Sequence, residues 1–106
     1  MAVSYLVLGQ SLPSATTYTD IYTASIATVC STLAICNIGT SSNFRVAIRV
    51  GGATLTNSQY IVYDNYVNQY DTVFLTLGIT MAATDVMTVY SGSGSVTFSL
   101  FGSTIA

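Results

Sequence analysis

Histidine, lysine, glutamate and tryptophan are absent from this 106-residue chain, and proline occurs once. Each absence excludes something. Without histidine, lysine or glutamate there is no ordinary general base at neutral pH and no amine nucleophile, so no enzymatic activity is expected. Two cysteines without a histidine do not make a zinc site, and the four aspartates lack the spaced acidic loop that holds calcium. No metal or cofactor is therefore expected. Arg45 and Arg49 are the only cations, and the formal charge is −2, so the phosphate neutralisation that drives nucleic-acid binding is out of reach. No glycine-rich phosphate loop is present.

Long apolar runs are missing too. Ser, Thr, Asn or Gly interrupts every stretch before about eighteen apolar residues, which argues against a membrane helix. An eight-stranded membrane barrel would need strands of about ten residues with aromatic girdles, and most strands here read as shorter. The amino terminus lacks a basic segment and a small-residue cleavage site, so synthesis in a cytoplasm is expected, without a secretion signal.

Charge is the scarcest property of all. Charged residues make up 6% of the chain, against roughly one quarter in ordinary soluble domains, and the mean hydropathy is positive. A free monomer of this kind has poor colloidal protection, so much of its surface is expected to be covered by neighbours. The length suits a single domain, residues 1–106, which buries somewhat under about 70% of the surface of its unfolded chain.

What is present is β pattern. Asn43 to Val50 alternates most cleanly: Phe44, Val46, Ile48 and Val50 share one face, Arg45, Ala47 and Arg49 the other. Val3 to Leu8 is almost continuously apolar and suits a strand buried on both sides, or one sandwiched between subunits. Thr16 to Thr23, rich in Thr and Tyr, reads as an edge-like strand. Ser25 to Ile38 puts Val29, Leu33 and Ile35 on one parity and Cys30, Ala34, Cys36 and Ile38 on the other, both lightly apolar, implying cover on both sides. Cys30 and Cys36 would then share a face about 20 Å apart and cannot bond each other. They read as small buried apolar side chains, with an intermolecular disulfide as the alternative.

A turn over 37–42 makes the Asn43 strand a hairpin partner of its predecessor, and Gly51-Gly52 ends it. Gln59 to Tyr63 is a short strand. Tyr60, Tyr63, Tyr66 and Tyr70 then gather around Asp64, Asn65 and Asn68, where helical spacing competes with a loop, and the Asp-Asn pair favours the loop. Asp71 to Leu77 points Val73, Leu75 and Leu77 inward, with a bend or bulge at Gly78 before Ile79 and Met81. Val86 to Tyr90 follows, then a hairpin loop over 91–94, then Ser95 to Phe101 with Val96, Phe98 and Leu100 inward and Phe101 on the exposed parity.

About eight short strands and no convincing helix indicate an all-β, antiparallel β-sandwich or small jelly roll. Its edges lack the lysines and prolines that usually blunt them, so closure by oligomerisation is expected, a trimer being the natural ring. Asp64 and Asp71 form a conceivable carboxylate pair, but they and Asp85 read more simply as turn residues. Arg45 and Arg49 are expected in ion pairs with aspartates of the same or a neighbouring subunit. The tyrosine group reads as packing or interface surface, or as a platform for sugars. The candidate interface residues are thus Arg45, Arg49, Tyr60, Tyr63, Tyr66, Tyr70 and Phe101.

Several segments together resemble a family of small virion proteins of tailed bacteriophages, particularly those of cyanobacteria and other aquatic bacteria. They are Y-L-V-L-G-Q at Tyr5–Gln10, T-T-Y-T-D-I-Y-T at Thr16–Thr23, V-C-S-T-L-A-I-C-N at Val29–Asn37, F-R-V-A-I-R-V at Phe44–Val50 and L-T-L-G-I-T-M-A-A-T-D-V-M-T-V-Y-S at Leu75–Ser91, with F-S-L-F-G near the end. The resemblance implies a non-enzymatic β-sandwich component of the particle, located in the virion. Its partners would be the major capsid protein or another virion protein, and further copies of itself, but neither nucleic acid nor membrane. The leading expectation is a capsid decoration or cement protein. A tail, baseplate or fibre module binding a host surface is the first alternative, and a carbohydrate-binding module the second.

Overall fold

The structure, a computed structural model, describes residues 3–105, apart from the side chain of Leu77. Eight strands run in chain order: β1 (Val3–Ser11), β2 (Thr19–Thr23), β3 (Ala27–Asn37), β4 (Ser42–Arg49), β5 (Tyr60–Val67), β6 (Thr72–Met81), β7 (Val86–Ser91) and β8 (Val96–Ile105). They form two antiparallel four-stranded sheets, ordered β1-β8-β3-β6 (sheet A) and β2-β7-β4-β5 (sheet B).

The pairing has a simple logic. β4 pairs with β5, β3 with β6, β2 with β7 and β1 with β8, as rungs of one long hairpin whose tip is the β4–β5 connection. Further pairing of β3 with β8 and of β4 with β7 folds that hairpin over into two sheets. This is the double-sheet, all-antiparallel plan of a jelly roll. Two expected hairpins are corrected: β3 and β4 lie in opposite sheets, as do β7 and β8. The turns over 38–41 and 92–95 are corners between sheets, and each short loop fits either path equally well.

Period-two alternation builds the core. Leu33, Ile35, Phe98 and Leu100 from sheet A meet Phe44, Val46, Met87 and Val89 from sheet B, all of them buried. Phe44 and Phe98 bridge the sheets edge to face, with centroids 6.4 Å apart. Burial of each large side chain is worth roughly 1.5–3 kcal/mol. Val50, expected on this inner face, instead lies in the 3-10 turn Val50–Gly52 and is exposed, because Gly51 and Gly52 adopt positive φ and turn the chain away.

Bulges break the parity in β3. Register shifts between Cys30 and Thr32 against both neighbours leave Ser31 unpaired. Thr28 and Cys30 point inward before the bulge, and Leu33, Ile35 and Asn37 after it. Cys30 is therefore buried while Cys36 faces outward, a correction to their expected common face. The opposite strand accommodates the shift at Leu77 and Gly78, where the bulge was expected. Val73 and Leu75 face inward as read, and the inward assignment of Leu77 lies outside the described residues. The outer face of β3 is only half covered within the chain.

β2 is an edge strand, as its composition suggested. β1 is the corresponding edge of sheet A, and Val3, Tyr5, Leu6 and Val7 are exposed, so this strand is not buried on both sides within the chain. The tyrosine stretch is also corrected: β5 extends through Asp64, Asn65 and Tyr66 to Val67, and only 68–71 form a turn. Pairing with β4 overrides the local Asp-Asn turn preference, which survives as a left-handed Asp64 with φ 53°.

Asn37 joins the corners. Buried at the end of β3, it donates through Nδ2 to the carbonyls of Thr40 (2.7 Å) and Val67 (3.1 Å). Its Oδ1 accepts from the Gly39 N–H (3.0 Å) and the Ser95 hydroxyl (2.8 Å). One side chain thus ties together the β3–β4 corner, the end of β5 and the β7–β8 corner.

Candidate functional site

The outer face of sheet B collects all the positive charge. β4 presents Arg45 and Arg49 outward by alternation, and a bulge in β5 sets Tyr63 and Asp64 together against Arg45. Arg45 Nε donates to Asp64 Oδ1 at 2.6 Å and Nη2 donates to Oδ2 at 3.1 Å, a bidentate fork. Its Nη1 donates to the Tyr18 hydroxyl at 2.6 Å. The guanidinium carbon lies 4.3 Å from the Tyr63 ring centroid and 4.6 Å from that of Tyr90, so it is held between two aromatic faces.

The rings also touch one another. Tyr18 and Tyr90 lie 4.7 Å apart, Tyr60 and Tyr63 meet edge to face at 4.8 Å, and the Tyr18 and Tyr60 hydroxyls share a hydrogen bond of 2.6 Å. The fork from Arg45, helped by the Asn43 amide, holds the Asp64 carboxyl below the usual carboxylate range, and the same hydrogen bond raises the guanidinium. Burial, and then the hydrogen bond to Tyr18, pushes the Tyr60 phenol up to about 12.

Arg49 is tied down separately. It donates to Asp20 Oδ1 (2.9 Å), to Thr88 Oγ1 (3.0 Å) and to the carbonyls of Gly52 (3.2 Å) and Ala53 (3.3 Å), while Thr88 donates to Asp20 (2.9 Å). Both arginines thus form ion pairs within the chain, and each keeps 19% of its side chain exposed. Their donors are directed inward to partners rather than outward to a ligand. Beside them a groove of about 340 Å³ is lined by Asn57, Tyr60 and Tyr63, and Tyr63 is the exposed ring there.

The candidate residues consequently divide. Arg45, Tyr60 and Tyr63 form one cluster, with Arg49 on the same sheet. Tyr66 and Tyr70 stand exposed toward and beyond the end of β5, and Phe101 belongs to sheet A. Tyr18 and Tyr90 complete the cluster and were not singled out from sequence, although Tyr90 sits directly across from Arg45 in the β4–β7 register.

The aspartates are all engaged. Asp64 is in the ion pair rather than a solvated turn, and Asp71 accepts from the Thr72 N–H (2.8 Å). Asp85 is buried and accepts from the N–H groups of Gly51 (2.8 Å) and Ala82 (2.9 Å), pinning two turns together. Among the described residues no three acidic, cysteine or histidine side chains gather as a metal site.

The outer face of sheet A is of another kind. Its rows set Val7 beside Phe101 and Thr32, Tyr5 beside Ser103 and Val29, and Phe74 beside Ala34 and Ser99. Tyr5 is 85% exposed and Phe74 67%. A groove of about 560 Å³ runs along β1 and β8, lined among others by Tyr5, Val7, Ser31 and Phe101. None of the four strands of this sheet contains a charged residue.

Comparison with known proteins returns no match: no family profile, no curated protein and no solved structure matches the chain.

Proposed function

We propose that this chain is a non-enzymatic structural protein of a bacteriophage particle, a decoration or cement protein that bridges shell subunits and stiffens the head against internal pressure. The observation that carries the reading is the outer face of sheet A, which exposes Tyr5, Val7 and Phe74 on strands without a single charge. Monomeric proteins rarely leave such a surface to solvent, and it marks a place of association. The open edges β1 and β6 flank the same face. Jelly rolls serve viral shells and lectins alike, so the argument rests on this surface and not on the fold. Many copies making modest contacts would supply the stiffening, since avidity multiplies weak contacts.

Immunogold labelling or imaging of intact particles tests the proposal. The expected result is regular occupancy of the head surface, and labelling at the tail tip alone would sink it. The groove beside Tyr63 favours a second reading, a tail or fibre module that binds host-surface sugars. A glycan array with the parent protein and Tyr63→Ala decides it, and no binding by the parent removes it.

A further inference from the structure

We propose that the outer face of sheet A docks, face to face, on the same face of a second copy of this chain. The proposal rests on the reading of that surface as a site of association and names its occupant as a second copy, so that contacts of the pair with a shell would fall to the surfaces left outermost. Three observations select another copy.

The first is where the charge lies. Asp20, Arg45, Arg49 and Asp64 all belong to sheet B, and Asp71 and Asp85 lie in the turns that flank β6. Two copies joined through sheet A form a four-layer stack with both B sheets outermost. At about 10 Å per layer, the B sheets of the two copies lie roughly 30 Å apart. That is several Debye lengths at physiological ionic strength, where the length is about 8 Å, and within each B sheet the two arginines offset Asp20 and Asp64. The net charge of −2 resides on Asp71 and Asp85, in the turns beside β6 and outside the strands of the docking face.

The second is that an isologous contact sets a surface against itself. A surface with charges of one sign would meet like charge across the two-fold axis. A neutral surface of Tyr, Phe, Val, Ser and Thr does not. The outward rows of sheet A, with Tyr5, Val7, Val29, Phe74 and Phe101 among serines and threonines, are of this neutral kind.

The third is area. Four strands at about 4.8 Å and some ten residues at about 3.3 Å give a face of roughly 600 Å² per copy, or roughly 1,200 Å² for the pair. That reaches the lower bound for a specific, stable interface. The occupied face is not that of the Asn43–Val50 strand, whose outward arginines are already satisfied within the chain.

Tyr5 on β1 and Phe74 on β6 stand at opposite edges of the face and test it together. Sedimentation equilibrium of the full chain is expected to show a dimer. Tyr5→Glu and Phe74→Glu should each weaken it at least about tenfold, since each would bury an unpaired carboxylate. Tyr70→Glu, on an exposed turn outside sheet A, should leave it unchanged. All three side chains are solvent-exposed in the single chain, so far-UV circular dichroism should report an intact fold for each variant.

A chain that stays monomeric overturns the proposal. A dimer weakened by only one of Tyr5→Glu and Phe74→Glu is an edge contact and overturns it as well. Particle imaging that places the chain outside the head refutes the cement reading and leaves this dimer standing, whereas a monomer in solution refutes the dimer alone.

Discussion

Asn37→Ala is the sharpest probe of how the two sheets are locked. The amide makes four hydrogen bonds, two donated and two accepted, to Thr40, Val67, Gly39 and Ser95. Each is worth roughly 0.5–1.5 kcal/mol net, and truncation leaves the buried Val67 carbonyl without this donor. Water can replace the partners nearer the surface, so the expected loss is about 3 kcal/mol. For a domain of this size that corresponds to a fall in Tm of about 12 °C.

Asn37→Asp separates the hydrogen-bond account from a packing account. It preserves the shape and the two acceptor contacts, but it sets a carboxylate oxygen against the carbonyls of Thr40 and Val67 in a buried position. At neutral pH it should therefore destabilise more than Asn37→Ala. Denaturant unfolding followed by far-UV circular dichroism measures both. A loss below about 1 kcal/mol for the alanine variant, or an aspartate variant no worse than alanine, would refute the reasoning.

Three further outcomes follow from the titrating groups. The Asp64 carboxyl, lowered by the Arg45 fork, contributes stability that is present above the unfolded carboxylate pKa near about 4 and is lost as pH falls through the lower folded value. An NMR titration should find Asp64 ionised below the usual range and returned toward it in Arg45→Gln; ordinary titration in the parent contradicts the ion pair. The Tyr60 phenol, pushed up to about 12, contributes stability that is intact below the ordinary value near about 10 and is lost as pH rises through about 12. Tyrosinate absorbance should show a late step that disappears in Tyr60→Phe, and simultaneous titration of all tyrosines would count against the cluster. Burial pushes the Cys30 thiol up to about 11, so alkylation of Cys30 should wait for unfolding, and rapid labelling of the native chain would contradict its placement in the core.

Part of the candidate site was legible in advance. The outward parity of Arg45 and Arg49 follows from alternation in one strand, and a chain with only four aspartates and no glutamate leaves those arginines few possible ion-pair partners. Tyr18 and Tyr90 were not legible, because they reach Arg45 from distant parts of the chain, Tyr18 from the segment that leads into β2 and Tyr90 from β7. Asn37 reads as an ordinary turn residue until β5 and the β7–β8 corner close over it.

The tyrosine stretch shows the same limit. The pattern allowed a strand only to Tyr63, with helix and loop competing over 60–70, and only pairing with β4 carries the strand on to Val67. In β3 one unpaired residue, Ser31, exchanged the inward and outward sets, which moved Cys36 to the outside. A period-two pattern carries no mark of where such a residue will be inserted.

By itself, then, the sequence determined an all-β chain of short strands, the inward sets of β4 (Val50 excepted) and β8, and a surface poor in charge. Those are local properties, written in alternation and composition. The tertiary structure alone decided that β3 pairs with β6 and β8 rather than with β4, and that the arginines turn back onto their own sheet while the neutral face of sheet A is left open. Strand partners and bulges are settled by which distant segments bury the most apolar surface together with the fewest unpaired backbone groups, and no local stretch carries that comparison.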